Sequence, residues 1–414
     1  MITELKNCRV CKSEDLEVVL DLGNIFPSGF LKPSDVLTDE NKAPLVLCRC
    51  KECGLVQLKH TVDLDLMYRQ YWYSSSLNKS MVQSLQEVVQ DIESKISLVD
   101  DDAVLDIGCN DGTMLFMYSK NVCKIGFDPA LNLSRPECTF VNDYFSAEKY
   151  RAVDHIGQLK PKVITAIAMF YDLPDPISFC KDVKEILHED GIFVIQFTDL
   201  LSMFLATAFD NICHEHLEYY RLLDVIDILN ETGLRVVDVS YNNVNGGSVR
   251  VTAVHKDSNI PTKDSVIKNT VDEFNYFSTH DFDLFSEKVE KIKKDTRTFL
   301  DWVREKNEVV HLFGASTKGN TFLQYCGVTM RDVPFASEVN RDKFGLRTAG
   351  SDIQIISEAE SFASNPKFYL VPVWHFKDSI INSPKIQQYL STGGSLVFPM
   401  PEFIMVTREG EFKP

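Results

Sequence analysis

The spacing of apolar positions changes several times along this 414-residue chain, and each change marks a different kind of element. Over residues 1 to 70 the apolar runs are short and broken by turn residues, as in NCRVCKSEDLEVVLDLG and PLVLCRCKECGLVQLKH. That pattern predicts small hairpins with little core of their own. The stretch SMVQSLQEVVQDIESKI has helical spacing and predicts an amphipathic helix. From Ala103 strands and helices alternate. AVLDIGC, KIGFD and GIFVIQF read as strands, TMLFMYSK and ISFCKDVKEIL as helices. VITAIAMF is a continuous apolar run, suited to a strand buried on both faces. RLLDVIDILNETG predicts a helix ending at Gly233, followed by the strands LRVVDVSY and GSVRVTAVH. Residues 257 to about 308 are polar with helical spacing and predict a bridge. A second strand, glycine loop and helix then begin with EVVHLFGASTKGNTFLQYCG, followed later by FYLVPVWHF and SLVFPMPEF.

This order predicts an α/β protein in three parts. A small zinc-binding domain spans 1–70, on the cysteine argument below. A central doubly wound, Rossmann-like domain spans 71–256. A helical bridge and a second Rossmann-like α/β domain span 257–414. The repeated strand–loop–helix theme points to an internal structural duplication, although no close sequence repeat accompanies it.

Composition narrows the function classes. An apolar fraction of 44% with 25% charged residues is that of a soluble globular chain. No apolar run is long enough to span a bilayer, and the opening MITELKNCRV lacks the basic start and apolar core of an export signal. A cytoplasmic protein is expected. The formal net charge of −17 and the absence of a basic stripe weigh against a nucleic-acid partner. KIKKDTR, flanked by acids, reads as a solvated helix face.

Four of the 11 cysteines form two pairs, Cys8-x-x-Cys11 and Cys50-x-x-Cys53. A tight turn lets two thiolates of one CxxC reach the same ion, and two such turns complete a tetrahedral zinc site. Neither pair opens a helix of a βαβ unit, as a redox CxxC would. Four cysteine ligands leave no open position, so the zinc is expected to be structural.

The glycine loop VLDIGCNDGT predicts a nucleoside cofactor. A strand ends at Asp106, and the turn passes Gly108 and Gly112, which permit close backbone approach. Asp128 ends the next strand, where a carboxylate can accept both ribose hydroxyls. Asn110, within the turn, and Met169, after the VITAIA strand, complete the expected cofactor set. In FDNICHEHLEYY, His214 and His216 flank Glu215. Position 218 is Glu, so the His-Glu-x-x-His pattern of a zinc protease is not met. A histidine beside a carboxylate is a natural proton acceptor near neutral pH. In GASTKGN, the backbone at a helix start with Ser316, Thr317 and Lys318 reads as a phosphate cradle, without the GKS or GKT of a Walker loop. YRQYWYSSSLNKSM places Tyr71 and Tyr73 ahead of the first cofactor strand, where aromatics could wall a bound cofactor.

Taken together, the CxxC pairs with CGLVQL, YWYSSSLNKSM, LDIGCNDGT, CHEHLEYY, NGGSVR and GASTKGN with PVWHFKD occur in an order that resembles the nucleotide-sugar C-methyltransferases. These are S-adenosylmethionine-dependent enzymes that methylate a ring carbon of deoxy-ketosugars. The resemblance covers nearly the full length. It implies zinc on Cys8, Cys11, Cys50 and Cys53, and S-adenosylmethionine on the Gly108–Gly112 loop with Asp128. It implies a catalytic pair on Glu215 and His216 and a functional tyrosine in the Tyr71–Tyr73 segment. The enolate oxygen is expected to meet Tyr71 or Tyr73, His214 or Asn245. The expected substrate is a nucleotide-linked keto-deoxysugar, methylated at carbon 3 of a 4-keto-6-deoxyhexose, by a monomer or homodimer. Some members carry a tyrosine two residues before the glutamate, where this chain has Cys213, so the family's proton relay does not transfer unchanged. The alternative class is a zinc-containing RNA or protein methyltransferase.

Overall fold

A computed structural model describes residues 2–69, 74–77, 79–133, 139–280 and 282–413. Tyr71, Tyr73 and Cys138 lie outside the described residues. The chain forms two compact units that do not follow its linear order. The first comprises Met1–Glu17, Cys48–Leu201 and Glu215–Thr279, and the second Val18–Leu47, Ser202–His214 and His280–Pro414.

The first unit is built on seven strands: β1 (Ala103–Ile107), β2 (Cys123–Phe127), β3 (Thr139–Val141), β4 (Val163–Ile167), β5 (Ile192–Thr198), β6 (Leu234–Asn242) and β7 (Ser248–His255). Their order is β6-β7-β5-β4-β1-β2-β3. The strands β3-β2-β1-β4-β5 run parallel, and β7 is antiparallel to both β5 and β6. β1 is buried at all five positions, as a central parallel strand should be. The chain builds outward from β1 to β3, then returns to add β4 and β5 on the other side. The reversal leaves a crevice at the carboxyl ends of β1 and β4, the place where doubly wound sheets bind ligands.

Helices cover the sheet as the periodicity predicts. Lys79–Lys95 buries Leu85, Val88, Val89 and Ile92. Pro176–Ile186 begins with Asp175, which caps the Ser178 amide. Leu222–Glu231 gives way to Thr232 and to Gly233 at φ +86°. TMLFMYSK departs from expectation. It forms only a 3₁₀ turn over Thr113–Met117, because Tyr118 returns to extended backbone.

The polar stretch after residue 256 is not a free bridge. Asp264–Thr279 belongs to the first unit, where Glu273 accepts the Leu222 amide at 3.1 Å. Phe282–Glu305 belongs to the second unit and buries Phe285, Val289, Ile292 and Phe299.

The second unit holds another parallel core: β8 (Val310–Phe313), β9 (Phe335–Glu338), β10 (Gln354–Ser357), β11 (Phe368–Leu370) and β12 (Ser395–Phe398), ordered β12-β11-β8-β9-β10. β13 (Ile404–Thr407) and β14 (Gly410–Phe412) extend one edge antiparallel. The short strands Arg347–Thr348 and Phe30–Leu31 extend the other. The five-strand order matches that of the first unit, so the expected duplication holds at the level of topology. No helix among the described residues is long and apolar enough to cross a membrane.

Candidate active site and zinc centre

Each CxxC folds as a tight turn with the same hydrogen bonds. Cys8 N donates to Ser13 O at 2.8 Å, and Lys12 N donates back to Cys8 O at 3.1 Å. Cys50 N donates to Leu55 O at 2.9 Å, and Gly54 N to Cys50 O at 2.8 Å. The turns close through positive φ at Lys12 (64°) and Gly54 (84°). A Cβ on Gly54 would meet the Arg221 guanidinium at 2.6 Å, which donates to Cys53 O and to Asp224. The four sulfurs lie within 4.8 Å of one another, with Cys8–Cys53 at 3.7 Å and Cys11–Cys50 at 3.4 Å. Zinc–sulfur bonds of about 2.3 Å in a tetrahedron place sulfurs about 3.8 Å apart, so the donor set fits zinc. Cys48 lies outside the cluster and donates to Gln57 O.

The zinc segment reaches the catalytic segment through a short ladder. Glu218–Tyr219 pairs antiparallel with Val56–Leu58, Glu218 opposite Gln57. Arg9, next to the first zinc cysteine, lies 3.5 Å from the buried Glu218 carboxylate and donates its amide to Gln57 Oε1. Metal, turn and ladder therefore form one support.

At the crevice of the first sheet, the loop after β1 is shaped by positive φ at Gly108 (71°), Asn110 (52°) and Gly112 (78°). A Cβ on Gly108 would meet Met169 Cγ at 2.8 Å, and one on Gly112 would meet Phe140 Cζ at 2.6 Å. Asp128 Oδ2 accepts the Asn110 amide at 2.8 Å, while its Oδ1 accepts that of Ala130. This carboxylate thus fixes the loop it faces. Asn110 and Asp111 take up the polypeptide at 74–76: Ser75 N donates to Asn110 Oδ1, and Ser74 Oγ and Ser76 N donate to Asp111 Oδ2. Asp106 is buried and accepts Thr165 Oγ1 at 2.6 Å. Burial pushes its carboxyl up to about 7. The carboxyl thus bridges β1 to β4 beneath the loop. Met169 follows β4 and closes against Gly108. A backbone loop open to close approach, with a buried carboxylate at the end of β2, suits the nucleoside and amino-acid parts of S-adenosylmethionine.

His216 and Glu215 belong to the first unit. A ring nitrogen of His216 and a carboxylate oxygen of Glu215 lie within 4.8 Å of each other. The Tyr171 ring packs on the imidazole with centroids 4.4 Å apart. Leu217 N donates to Tyr171 O, and Tyr68 Oη donates to Glu215 O at 2.9 Å. Burial pushes Glu215 up to about 7. Tyr68 and Tyr171 escaped sequence reasoning. A signal was present for Tyr171, which lies four residues past the end of β4, at the carboxyl edge of the sheet.

Of the remaining candidates, Asn245 lies in the first unit and His214, Ser316, Thr317 and Lys318 in the second. His214 is buried in the second unit, its Nε2 3.1 Å from Ala43 O. Asn245 sits at φ 56° in the turn joining β6 to β7, beside the end of β5, where Asp199 N donates to Gly247 O. In the second unit, Ser316 Oγ accepts Gly319 N and caps its own helix. The Lys318 ammonium donates to Asn211 Oδ1 at 2.5 Å and faces buried Asp210, which Trp374 Nε1 also contacts at 3.2 Å. The loops after β8 and β11 therefore hold the Phe209–Asn211 turn, with Phe209 against Tyr325 at 5.5 Å. Ser316 and Lys318 are half-buried, and these hydrogen bonds stay within their own unit. Thr317 opens the helix Thr317–Tyr325.

Known families match in the same order as the structural parts. A putative zinc binding domain matches residues 8–68, a methyltransferase domain 78–239, and a C-methyltransferase C-terminal domain 243–401. Over 421 aligned residues the chain is 27% identical to the C-methyltransferase NovU of Streptomyces niveus, covering 99% of both chains. Solved structures resemble it more remotely. The complex of the Haloferax volcanii Trm112 methyltransferase activator with a putative methyltransferase aligns at 11% identity and TM-score 0.34, over 43% of this chain and 94% of that one. Magnesium protoporphyrin IX methyltransferase of Synechocystis PCC 6803 aligns at 12% and 0.31, over 42% and 79%. At those scores neither bears weight on the site. The four-thiolate site and three consecutive family matches over nearly the full length identify the chain as an S-adenosylmethionine-dependent C-methyltransferase with a zinc-binding domain.

Proposed function

We propose that the enzyme methylates carbon 3 of a nucleotide-linked 4-keto-6-deoxyhexose, with His216 as the base. The observation that carries this reading is the imidazole of His216, clamped against Tyr171 with the Glu215 carboxyl within 4.8 Å. Carbon becomes nucleophilic only after losing a proton, and a neighbouring carbonyl must take up the charge. His216 removes the proton beside the ketone, and the electron pair passes into an enolate. Glu215 steadies the imidazolium that results. S-adenosylmethionine, bound on the Gly108–Gly112 loop, supplies an electrophilic methyl group. That methyl group would go to the enolate carbon, with the sulfonium sulfur as leaving group and the ketone restored. Asn245, or a tyrosine of the 71–73 segment, donates to the enolate oxygen. A chain carrying −17 suits a small-molecule substrate better than a polyanionic polymer, and reduced thiolates on zinc suit the cytoplasm.

The test is incubation with labelled S-adenosylmethionine and a panel of TDP-, UDP-, GDP- and CDP-linked 4-keto-6-deoxy sugars, with products read by mass. A methylated ketosugar from one nucleotide series is expected. Label transferred only to protein or RNA would overturn the substrate class.

A further inference from the structure

A charged pair lies buried where the first zinc turn meets the strand behind His216. Arg9 follows the ligand Cys8, and its side chain is 2% exposed against 0% for Glu218. Its Nε stands 3.5 Å from Glu218 Oε1. Neither Arg9 Nε nor either Glu218 oxygen has a hydrogen-bond partner among the described residues, so this ion pair is the close compensation for both. The same guanidinium donates through Nη2 to Leu58 O at 3.3 Å and to Thr61 Oγ1 at 3.0 Å. Leu58 N in turn donates to Leu217 O at 2.8 Å. One arginine therefore touches both strands of the ladder, Val56–Leu58 on one side and Glu218 on the other.

Stability alone is a weak reason for such a pair. Taking two charges out of water costs about as much as their attraction returns, and apolar side chains of similar size commonly do as well. Burial pushes the Glu218 carboxyl up, and the Arg9 guanidinium, which keeps its charge, holds that rise back. What a charge pair adds is register. The ladder pairs Glu218 with Gln57 and Tyr219 with Val56, and a slip of one residue would put Leu217 where Glu218 stands. Such a slip would move His216 by about 3.3 Å, and a misplacement of about 1 Å already costs on the order of a hundredfold in rate. It would also leave the buried guanidinium facing an apolar side chain, so the observed register is the one that satisfies Arg9. We propose that Arg9 and Glu218 are positioning residues, a buried pair that locks the strand behind His216 in register with the first zinc turn and so sets where the imidazole stands. Arg9 takes its own place from the Cys8–Cys11 turn, so the metal's ligands and the proposed base share one frame. At the far end of the segment, Arg221 donates to Cys53 O at 2.8 Å and holds it to the second turn.

The effect on turnover rests on the reading of His216 as base, so the test on the full-length protein also reads the imidazole without substrate. R9M, E218M and R9M/E218M are compared by melting temperature, zinc content, S-adenosylmethionine affinity and kcat on an accepted sugar nucleotide. NMR of histidine-labelled protein adds the His216 resonance, assigned by its loss in H216N. Each single variant strands a buried charge and should melt lower by about 5 °C or more. The double variant should melt within a few degrees of wild type, carry its zinc and bind S-adenosylmethionine normally. Its His216 resonance should still be displaced, and its kcat should remain down roughly ten- to a hundredfold. A purely structural pair predicts that resonance and kcat recover together with the melting temperature, and that recovery overturns the proposal. A double variant that fails to fold or to load zinc overturns it as well, because the pair would then be needed for stability. Full turnover in H216N would remove the base reading alone, and the His216 resonance in the double variant would then decide whether the pair sets the imidazole.

Discussion

The ring of Tyr171 lies 4.4 Å from that of His216 with the planes inclined at 59°, while the Tyr171 carbonyl accepts the Leu217 amide at 2.8 Å. One residue therefore fixes both the imidazole and the backbone that carries it. The grip comes from the ring face and the main chain. Tyr171→Phe should keep near-normal turnover, whereas Tyr171→Ala should lose roughly tenfold or more in kcat at unchanged S-adenosylmethionine affinity. Equal turnover in both variants would show that the packing is incidental.

Zinc should be present at one ion per chain by metal analysis. Serine at Cys8, Cys11, Cys50 or Cys53 should abolish it, because each supplies one of the clustered sulfurs. Cys48→Ser should retain the metal, since that thiol serves Gln57 O. Chelation after mild unfolding should also impair turnover, because the ladder from Val56–Leu58 to Glu218–Tyr219 links the metal to the catalytic segment. Full zinc content in Cys53→Ser would contradict the site.

Asp106 should leave a signature in stability against pH. Its carboxyl is raised by burial to about 7, from an ordinary value near 3.8. Between those values the folded state holds a proton that the unfolded chain has released. The stabilising difference is complete at the acid end and is lost as pH rises through about 7. Asp106→Asn keeps an acceptor for Thr165 and removes the titration. Its melting temperature should match wild type near pH 4.5 and exceed it at pH 8, by the equivalent of roughly 2–4 kcal/mol. An unchanged difference across that range would contradict the assignment.

Lys318 separates two roles cleanly. Asp210 is buried and its carboxyl is raised to about 6, with the Lys318 ammonium opposing that rise. Lys318→Met should cost stability, about 2–3 kcal/mol for a partly buried pair, and leave the substrate KM nearly unchanged. A large rise in KM with normal stability would restore the phosphate role expected from GASTKGN.

The fold was legible wherever periodicity and burial coincide. The apolar run of β4, the alternating helices and the capping of Leu222–Glu231 by Gly233 all follow from local rules. The zinc site was legible because CxxC geometry is local too. Three features were not. The assembly of each unit from separate stretches of chain depends on long-range packing, such as Phe204 stacked on Phe285 at 4.3 Å within the second unit, which no spacing encodes. Lys318 sits in a phosphate-loop pattern, and its contacts with Asn211 and Asp210, distant in sequence, appear only in the fold. Tyr68 and Tyr171 reach the Glu215–His216 pair from sites far apart in the chain, so the contacts that secure the pair left no motif to read.

The most direct measurement is turnover and S-adenosylmethionine binding in His216→Asn with a keto-sugar nucleotide accepted by the wild type. Loss of a positioned base should lower kcat by roughly 10²- to 10⁴-fold while cofactor affinity stays within about twofold. Turnover close to wild type would place the base elsewhere and contradict the account.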